Sequence, residues 1–127
     1  MSVKNQGVLA VIIAHNEVEY VKLSVQILLN DLKDTDSEIL VIDNYSNDGL
    51  GEWLMQQAQV SYVICDEKME GFGQVLEVVR DQFLGERDLL LSRANYFFTP
   101  GSIACMKTAL YSREHIAAVG PIGNLLP

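Results

Sequence analysis

The feature that most constrains the fold is the alternation of short apolar runs with amphipathic stretches. Val8 to Ala14 is a continuous apolar run, typical of a parallel strand that is covered on both faces. From Val18 onwards, apolar side chains recur at helical spacing. The same pattern repeats, with further strands predicted at residues 39–42, 62–65, 89–91 and 116–119 and a helix predicted after each of the first four strands.

Short connections between such elements predict right-handed crossovers. We therefore expect a Rossmann-like α/β domain with a mainly parallel sheet of about five strands and helices on both faces. A chain of 127 residues suits one domain, 1–127. Ligands of such sheets bind beyond the carboxyl ends of the strands, near the point where strand order reverses. The candidate loops are therefore residues 15–17, 43–48, 66–73 and 93–99.

Charge and hydropathy exclude several classes of partner. Seventeen acidic against nine basic side chains give a net charge of -8, which opposes binding to nucleic acid or to an anionic membrane. No apolar stretch approaches the roughly 18 residues of a membrane span, so membrane insertion is not expected. The N-terminus does not resemble a signal peptide. With Cys65 and Cys105 interpreted as buried thiols of a reducing compartment, we expect a cytoplasmic protein.

Two familiar types of α/β domain fit the loops poorly. The dinucleotide-binding pattern G-x-G-x-x-G is missing after the first strand, where Ala14 to Glu17 contains no glycine, and the Walker pattern is absent as well. A phosphoacceptor receiver domain is an alternative for an acidic chain of this length, and Glu17, Asp66 and Ser92 partly meet its requirements. However, Gly120 and Pro121 stand where that family carries a lysine.

Several short segments occur in a fixed order along the chain. They are VIIAHNE at residues 11–17, LVIDNYSNDG at 40–49, EGFG at 70–73, TPG at 99–101 and AVGPIGN at 118–124. In order and spacing these segments resemble the N-terminal half of family 2 glycosyltransferases. The resemblance implies a GT-A fold that binds a nucleoside diphosphate sugar, with UDP, GDP or dTDP as the nucleotide. It also implies transfer of the sugar to an acceptor hydroxyl.

The strand ends supply groups for the nucleoside in that role. Asp43, followed by Asn44, ends a buried strand at the ligand edge, and its carboxylate can accept a hydrogen bond from a base N–H. Backbone groups of Ala14 and His15 would complete the base site. Glu17 would accept from ribose hydroxyls, or alternatively favour the dipole of the helix that follows.

Other loop residues have both a binding and a structural interpretation. His15 would pack near the base or be a partly exposed loop histidine. Gly73 would allow close approach of the loop to the nucleoside, or simply form a turn. Ser46 and Asp48 are predicted to cap the helix that carries Trp53.

The sequence departs from the family where a metal would be held. The family carries an acid pair after the fourth strand, and the matching positions here are Arg93, Ala94 and Asn95. Asn95 offers one neutral oxygen ligand, and Arg93 can pair with phosphate oxygens directly. Because Mg²⁺ and Mn²⁺ prefer anionic oxygens, we expect weak or no metal binding.

The family's general base lies beyond its nucleotide-binding half. We therefore expect a truncated or degenerate domain that is not active alone. The alternative is a non-catalytic module of the same fold that senses a nucleotide or binds a protein. An exposed apolar edge would then favour self-association or contact with a missing C-terminal domain.

Overall fold

The computed structural model describes residues 7–120, except the side chain of Phe72. Strands and helices alternate along the chain, and a π-helical turn, Arg80–Leu84, continues the third helix. In chain order the elements are β1 (Val8–Ala14), α1 (Val18–Asp31), β2 (Glu38–Asp43), α2 (Leu50–Met55), β3 (Ser61–Ile64), α3 (Phe72–Val79), β4 (Asp88–Arg93) and α4 (Ser102–Leu110). The chain divides into two compact units, Met1–Phe97 with the sheet and Phe98–Pro127 with α4.

The sheet is parallel, with the strand order β3-β2-β1-β4. Ala14 of β1 pairs with Asp43 of β2, and Ile13 pairs with Arg93 of β4, so three strands end at nearly the same level. Because β2 and β4 lie on opposite sides of β1, the order of the strands reverses at β1. This reversal is the position at which α/β sheets open a crevice for ligands.

Helices cover both faces of β1 and β2, which explains their continuous apolar runs. On one face, a buried cluster joins the strands to α3; its members are Leu9, Val11, Leu40, Ile42, Val75 and Val79. On the other face, α1 and α2 contribute buried apolar residues; these are Val21, Val25, Leu28, Leu50 and Leu54. The predicted Rossmann-like α/β class is therefore confirmed.

The predicted fifth strand is not found. Residues 116–120 form no strand, so the part of the chain that the structure describes has four strands rather than about five. The predicted run contains two alanines, which provide little apolar surface to bury, and Val119 is 39% exposed. A short apolar run without a larger buried face is insufficient evidence for a strand.

The two thiols differ from the expectation. Cys65 is half-buried, but Cys105 is exposed on α4, so the prediction of two buried thiols is wrong for Cys105. Burial raises the pKa of the Cys65 thiol, and the carboxylates of Asp43 and Asp66 raise it further, which disfavours a reactive thiolate. Among residues 7–120, no helix combines the length and apolar character required to cross a bilayer.

A first prediction concerns the core. Leu40 is fully buried between the sheet and α3, so Leu40→Ala should lower the free energy of unfolding by about 2–5 kcal/mol in urea denaturation. The matched control is Leu23→Ala on α1, where the side chain is 46% exposed. Equal losses in the two variants would contradict the assignment of the core.

A second prediction concerns acid stability. Burial raises the pKa of Glu38, but hydrogen bonds from Ser61 and Arg87 and the charge of Arg87 outweigh it and lower the pKa overall. A lowered pKa in the folded state stabilises the fold above the ordinary carboxyl pKa, and this stability disappears as the pH falls through the lowered value. Glu38→Gln should therefore flatten the acid limb of a plot of unfolding free energy against pH. Glu52→Gln, at an exposed position on α2, should leave that limb unchanged.

Candidate functional site

A cavity of about 400 Å³ opens at the carboxyl edge of the sheet, on the face that carries α3. The strand ends contribute Ile13, Ala14, His15, Glu17, Asn44, Arg93 and Asn95 to its lining. The loop before α3 and its first turn contribute Lys68, Met69, Glu70, Gly71 and Val75. The cavity thus lies at the reversal of strand order, and its volume is in the range of small-molecule sites.

Six of the predicted site residues line this cavity; they are Ala14, His15, Glu17, Asn44, Arg93 and Asn95. Asp43 and Gly73 do not line it. Sequence reasoning missed the residues just before α3, Lys68 to Gly71. A charged loop after a strand was visible in the sequence, but nothing in the pattern indicated which of its side chains face the cavity.

Asp43 belongs to the opposite face of the sheet. Its carboxylate is 1% exposed, and Oδ1 accepts a 2.9 Å hydrogen bond from the backbone N–H of Ser46. Oδ2 lies 3.4 Å from the point where a Cβ on Gly51 would stand, so the carboxylate is turned toward α2. Because successive side chains of a strand alternate between faces, Ile42 packs toward α3 while Asp43 points away from it. The expected contact between Asp43 and a base has no support in this geometry.

Gly71, which lines the cavity, has a backbone conformation that requires glycine. It precedes α3 with φ of 77° and ψ of 168°, a conformation that is almost restricted to glycine. Gly73 is exposed inside α3, and a Cβ there would meet nothing within 4 Å. Two glycines only two positions apart have the same appearance in a sequence, and only the backbone angles distinguish them.

The side chain of Asn44 connects the end of β2 to the loop before α3. Its Nδ2 donates to the carbonyl of Met69 at 3.1 Å, and its Oδ1 accepts from the Met69 N–H at 2.8 Å. The Asn44 backbone N–H also donates to the Ala14 carbonyl at 2.8 Å. Asn44 therefore fixes the loop against the ends of two strands.

The hydrogen bonds of His15 define its tautomer. A carbonyl oxygen can only accept, so the 2.7 Å contact with the Asn44 carbonyl requires a hydrogen on Nδ1. Nε2 lies 3.3 Å from Nδ2 of Asn16, whose orientation is fixed because its Oδ1 accepts from the Asn47 N–H at 2.8 Å. Nε2 therefore acts as an acceptor, and both ring nitrogens are engaged by neighbouring loop groups.

The Asp48 carboxylate accepts hydrogen bonds from the first backbone N–H groups of two helices. Its Oδ1 accepts from the Leu50 N–H at 3.3 Å at the start of α2, and its Oδ2 accepts from the Val18 N–H at 2.9 Å at the start of α1. Ser46 instead accepts from the Asn16 N–H at 2.9 Å. Glu17, at the N-cap position of α1, makes no capping hydrogen bond with its side chain, and it lines the cavity.

The cavity combines both signs of charge. Lys68 and Arg93 line it together with Glu17 and Glu70. The positions that match the family's acid pair bring a guanidinium from Arg93 and an amide from Asn95, whereas Ala94 is fully buried. Within residues 7–120, no group of three or more His, Cys, Asp or Glu side chains is arranged to hold a metal ion.

A third prediction tests the connection made by Asn44. In Asn44→Asp the carboxylate keeps the bond from the Met69 N–H but cannot donate to the Met69 carbonyl, which it would repel. The free energy of unfolding should fall by about 1–3 kcal/mol, and the Met69 amide should exchange faster in hydrogen exchange mass spectrometry. The matched control is Asn47→Asp, which makes the same charge change at an exposed position of the same loop and should leave exchange of the Met69 amide unchanged. Equal exchange at Met69 in both variants would refute the role of Asn44.

Two solved structures illustrate the similarity of this fold to known proteins. The mannosyltransferase PcManGT from Pyrobaculum calidifontis, solved in complex with GDP-Man and Mn²⁺, is 14% identical with a TM-score of 0.59, covering 76% of this chain and 30% of that one. TarS 1–349 from S. aureus is 16% identical with a TM-score of 0.62, covering 79% of this chain and 31% of that one. The chain thus spans about a third of the length of these structures. At this identity the likeness concerns the fold alone.

Sequence comparison identifies the family. No curated protein matches the chain significantly. The model of glycosyl transferase family 2 matches residues 9–80, a range that runs from the second residue of β1 to the end of α3 and contains most of the cavity lining. The match extends over more than half of the 127 residues. The resemblance found in the motifs is confirmed: the chain belongs to glycosyltransferase family 2.

Proposed function

We propose that the cavity binds a nucleoside diphosphate sugar, so that the chain is the donor-binding domain of a glycosyltransferase. The observation that carries this proposal is the cavity itself, at the strand reversal of a family 2 chain and lined by polar groups from three strand ends. The complex of PcManGT with GDP-Man supports a sugar nucleotide as the ligand class. UDP, GDP and dTDP sugars are the candidate donors.

Each part of the donor has a candidate partner in the cavity lining. Backbone groups of Ala14 and His15 are proposed to meet the base edge, and the Glu17 carboxylate is proposed to accept from ribose hydroxyls. Arg93 and Asn95, from the end of β4, are assigned to the diphosphate. We assign Asn44 to positioning of the cavity wall, because its amide is engaged with Met69.

Two of the predicted site residues, Asp43 and Gly73, lie outside the cavity lining, so we revise the roles expected of them. Asp43 holds the turn at Ser46 and therefore acts on the site through the loop that follows β2. Gly71 takes the role first expected of Gly73, since Gly71 lines the cavity and its φ of 77° favours glycine.

We also propose that the 127-residue chain binds the donor without transferring its sugar. An inverting transfer requires a carboxylate that takes the proton of the acceptor hydroxyl and positive charge that stabilises the leaving diphosphate. The family's acid pair is replaced here by Arg93, Ala94 and Asn95. The same replacement favours a second candidate function, a nucleotide sensor or a protein-binding module on the same fold.

The proposal includes a cytoplasmic, reducing environment for the free thiols and excludes nucleic acid as a partner because of the net charge of -8. Leu89 and Leu91 of β4 are 40% and 43% exposed. We expect self-association or a further domain of the protein to contact the chain at these leucines.

A fourth prediction tests the ribose contact. Glu17→Gln should weaken binding of the preferred nucleoside diphosphate about 10-fold in isothermal titration calorimetry, since a hydrogen bond to a charged group contributes about 1.5–3 kcal/mol. Binding of the 2′,3′-dideoxy analogue should be equally weak in both proteins. The matched control is Glu19→Gln, an exposed acid in the first turn of α1. If UDP, GDP and dTDP all fail to bind the unaltered chain, the donor-binding proposal is wrong and the protein-binding module is favoured.

A further inference from the structure

We propose that the diphosphate is held in this cavity by two cationic side chains, Lys68 and Arg93, without a divalent cation. The inference rests on the proposed function, because it names the phosphate subsite of the same cavity. Lys68 was not among the residues that the sequence pattern indicated. The structure adds it from the loop before α3, whereas Arg93 comes from the end of β4.

The arrangement of basic side chains supports an anionic ligand in this position. The chain carries nine basic residues against seventeen acidic ones, and two of the nine line this one cavity from separate elements. Because an anion in a cavity responds mainly to nearby charges, the net charge of the chain does not prevent binding.

A divalent cation does not fit the same lining. Mg²⁺ and Mn²⁺ require oxygen ligands, preferably carboxylates, in close arrangement. The end of β4 presents the Arg93 guanidinium and the neutral amide of Asn95. A divalent cation beside a diphosphate needs one or two protein carboxylates in addition to the phosphate oxygens. Residues 93–95 at the end of β4 include no carboxylate, and Glu17 and Glu70 come from separate loops.

The neighbouring histidine is equally unsuited to a metal in the observed arrangement. Nδ1 of His15 carries the hydrogen that it donates to the Asn44 carbonyl at 2.7 Å, and Nε2 faces Nδ2 of Asn16 at 3.3 Å. Both ring nitrogens are therefore engaged by the loops. Coordination through His15 would require these bonds to break.

Lys68 and Arg93 have the chemistry that a metal-free phosphate site requires. A guanidinium can donate two parallel hydrogen bonds to phosphate oxygens, and an ammonium adds a compact positive charge with three donors. Together they supply two positive charges, the same number as one divalent cation. Arg93 ends β4 and Lys68 lies on the loop before α3, so the two cations line the cavity from separate elements.

The test is calorimetry on the full chain with UDP, GDP and dTDP, each measured in EDTA and in Mn²⁺. We expect the dissociation constant of the preferred diphosphate to change less than about twofold between the two conditions. Lys68→Gln and Arg93→Gln should each weaken its binding about 10-fold in EDTA, as loss of a charge-assisted contact predicts. Affinity for the corresponding nucleoside should stay the same. Lys33→Gln, an exposed lysine in the turn after α1, controls for the loss of one charge.

The outcomes separate this inference from the proposed function. Binding that occurs only with Mn²⁺ would overturn the metal-free site and leave donor binding intact. Unchanged affinity in Lys68→Gln and Arg93→Gln would also overturn it. If no diphosphate binds in either condition, both the inference and the proposed function fail.

Discussion

The cavity depends on the pair of hydrogen bonds between the Asn44 side chain and the backbone of Met69. The loop before α3 follows β3, and its first residue, Cys65, still donates its N–H to the Asp43 carbonyl at 2.9 Å. The bonds to Met69 lie further along the same loop. The Asn44 amide presents a donor and an acceptor side by side, as a neighbouring strand would, and thereby continues the pairing past the end of β2. These two bonds connect one wall of the cavity to the end of β2.

Other bonds between the loops complete this arrangement. Asn16, with φ of 55°, accepts the Asn47 N–H through its side-chain oxygen and donates its own N–H to the Ser46 hydroxyl. The Asp48 carboxylate accepts the N–H groups of the first residues of α1 and α2. Most of these polar groups belong to the two segments that follow β1 and β2. Their side chains satisfy backbone groups that the ends of strands and helices leave unpaired. The same residues that stop the regular elements thus determine the shape of the site.

The alternation of apolar runs and helical periods was sufficient to predict the α/β class, because strands buried on both faces leave a strong signal in sequence. The run at residues 116–119 was ambiguous for a physical reason, since two of its residues are alanines with little surface to bury. The site was predictable to the level of loops. The choice between Asp43 and Asn44 depends on which face of the sheet each side chain meets, and the choice between Gly71 and Gly73 depends on backbone angles. The place of Lys68 in the cavity lining depends on the path of a loop, and a loop has no periodic sequence pattern.

The chain belongs to glycosyltransferase family 2, and at the end of β4 it carries Arg93 and Asn95 at the positions that match the family's acid pair. The central claim is that the cavity at the strand reversal receives a nucleoside diphosphate. The most direct measurement is a titration of the ¹⁵N-labelled chain with UDP, GDP or dTDP, followed by NMR. The account predicts saturable shifts of the backbone amides of Ala14, His15 and Gly71, with the amide of Lys33 unchanged. Shifts confined to residues outside the cavity, or none with any of the three nucleotides, would contradict it.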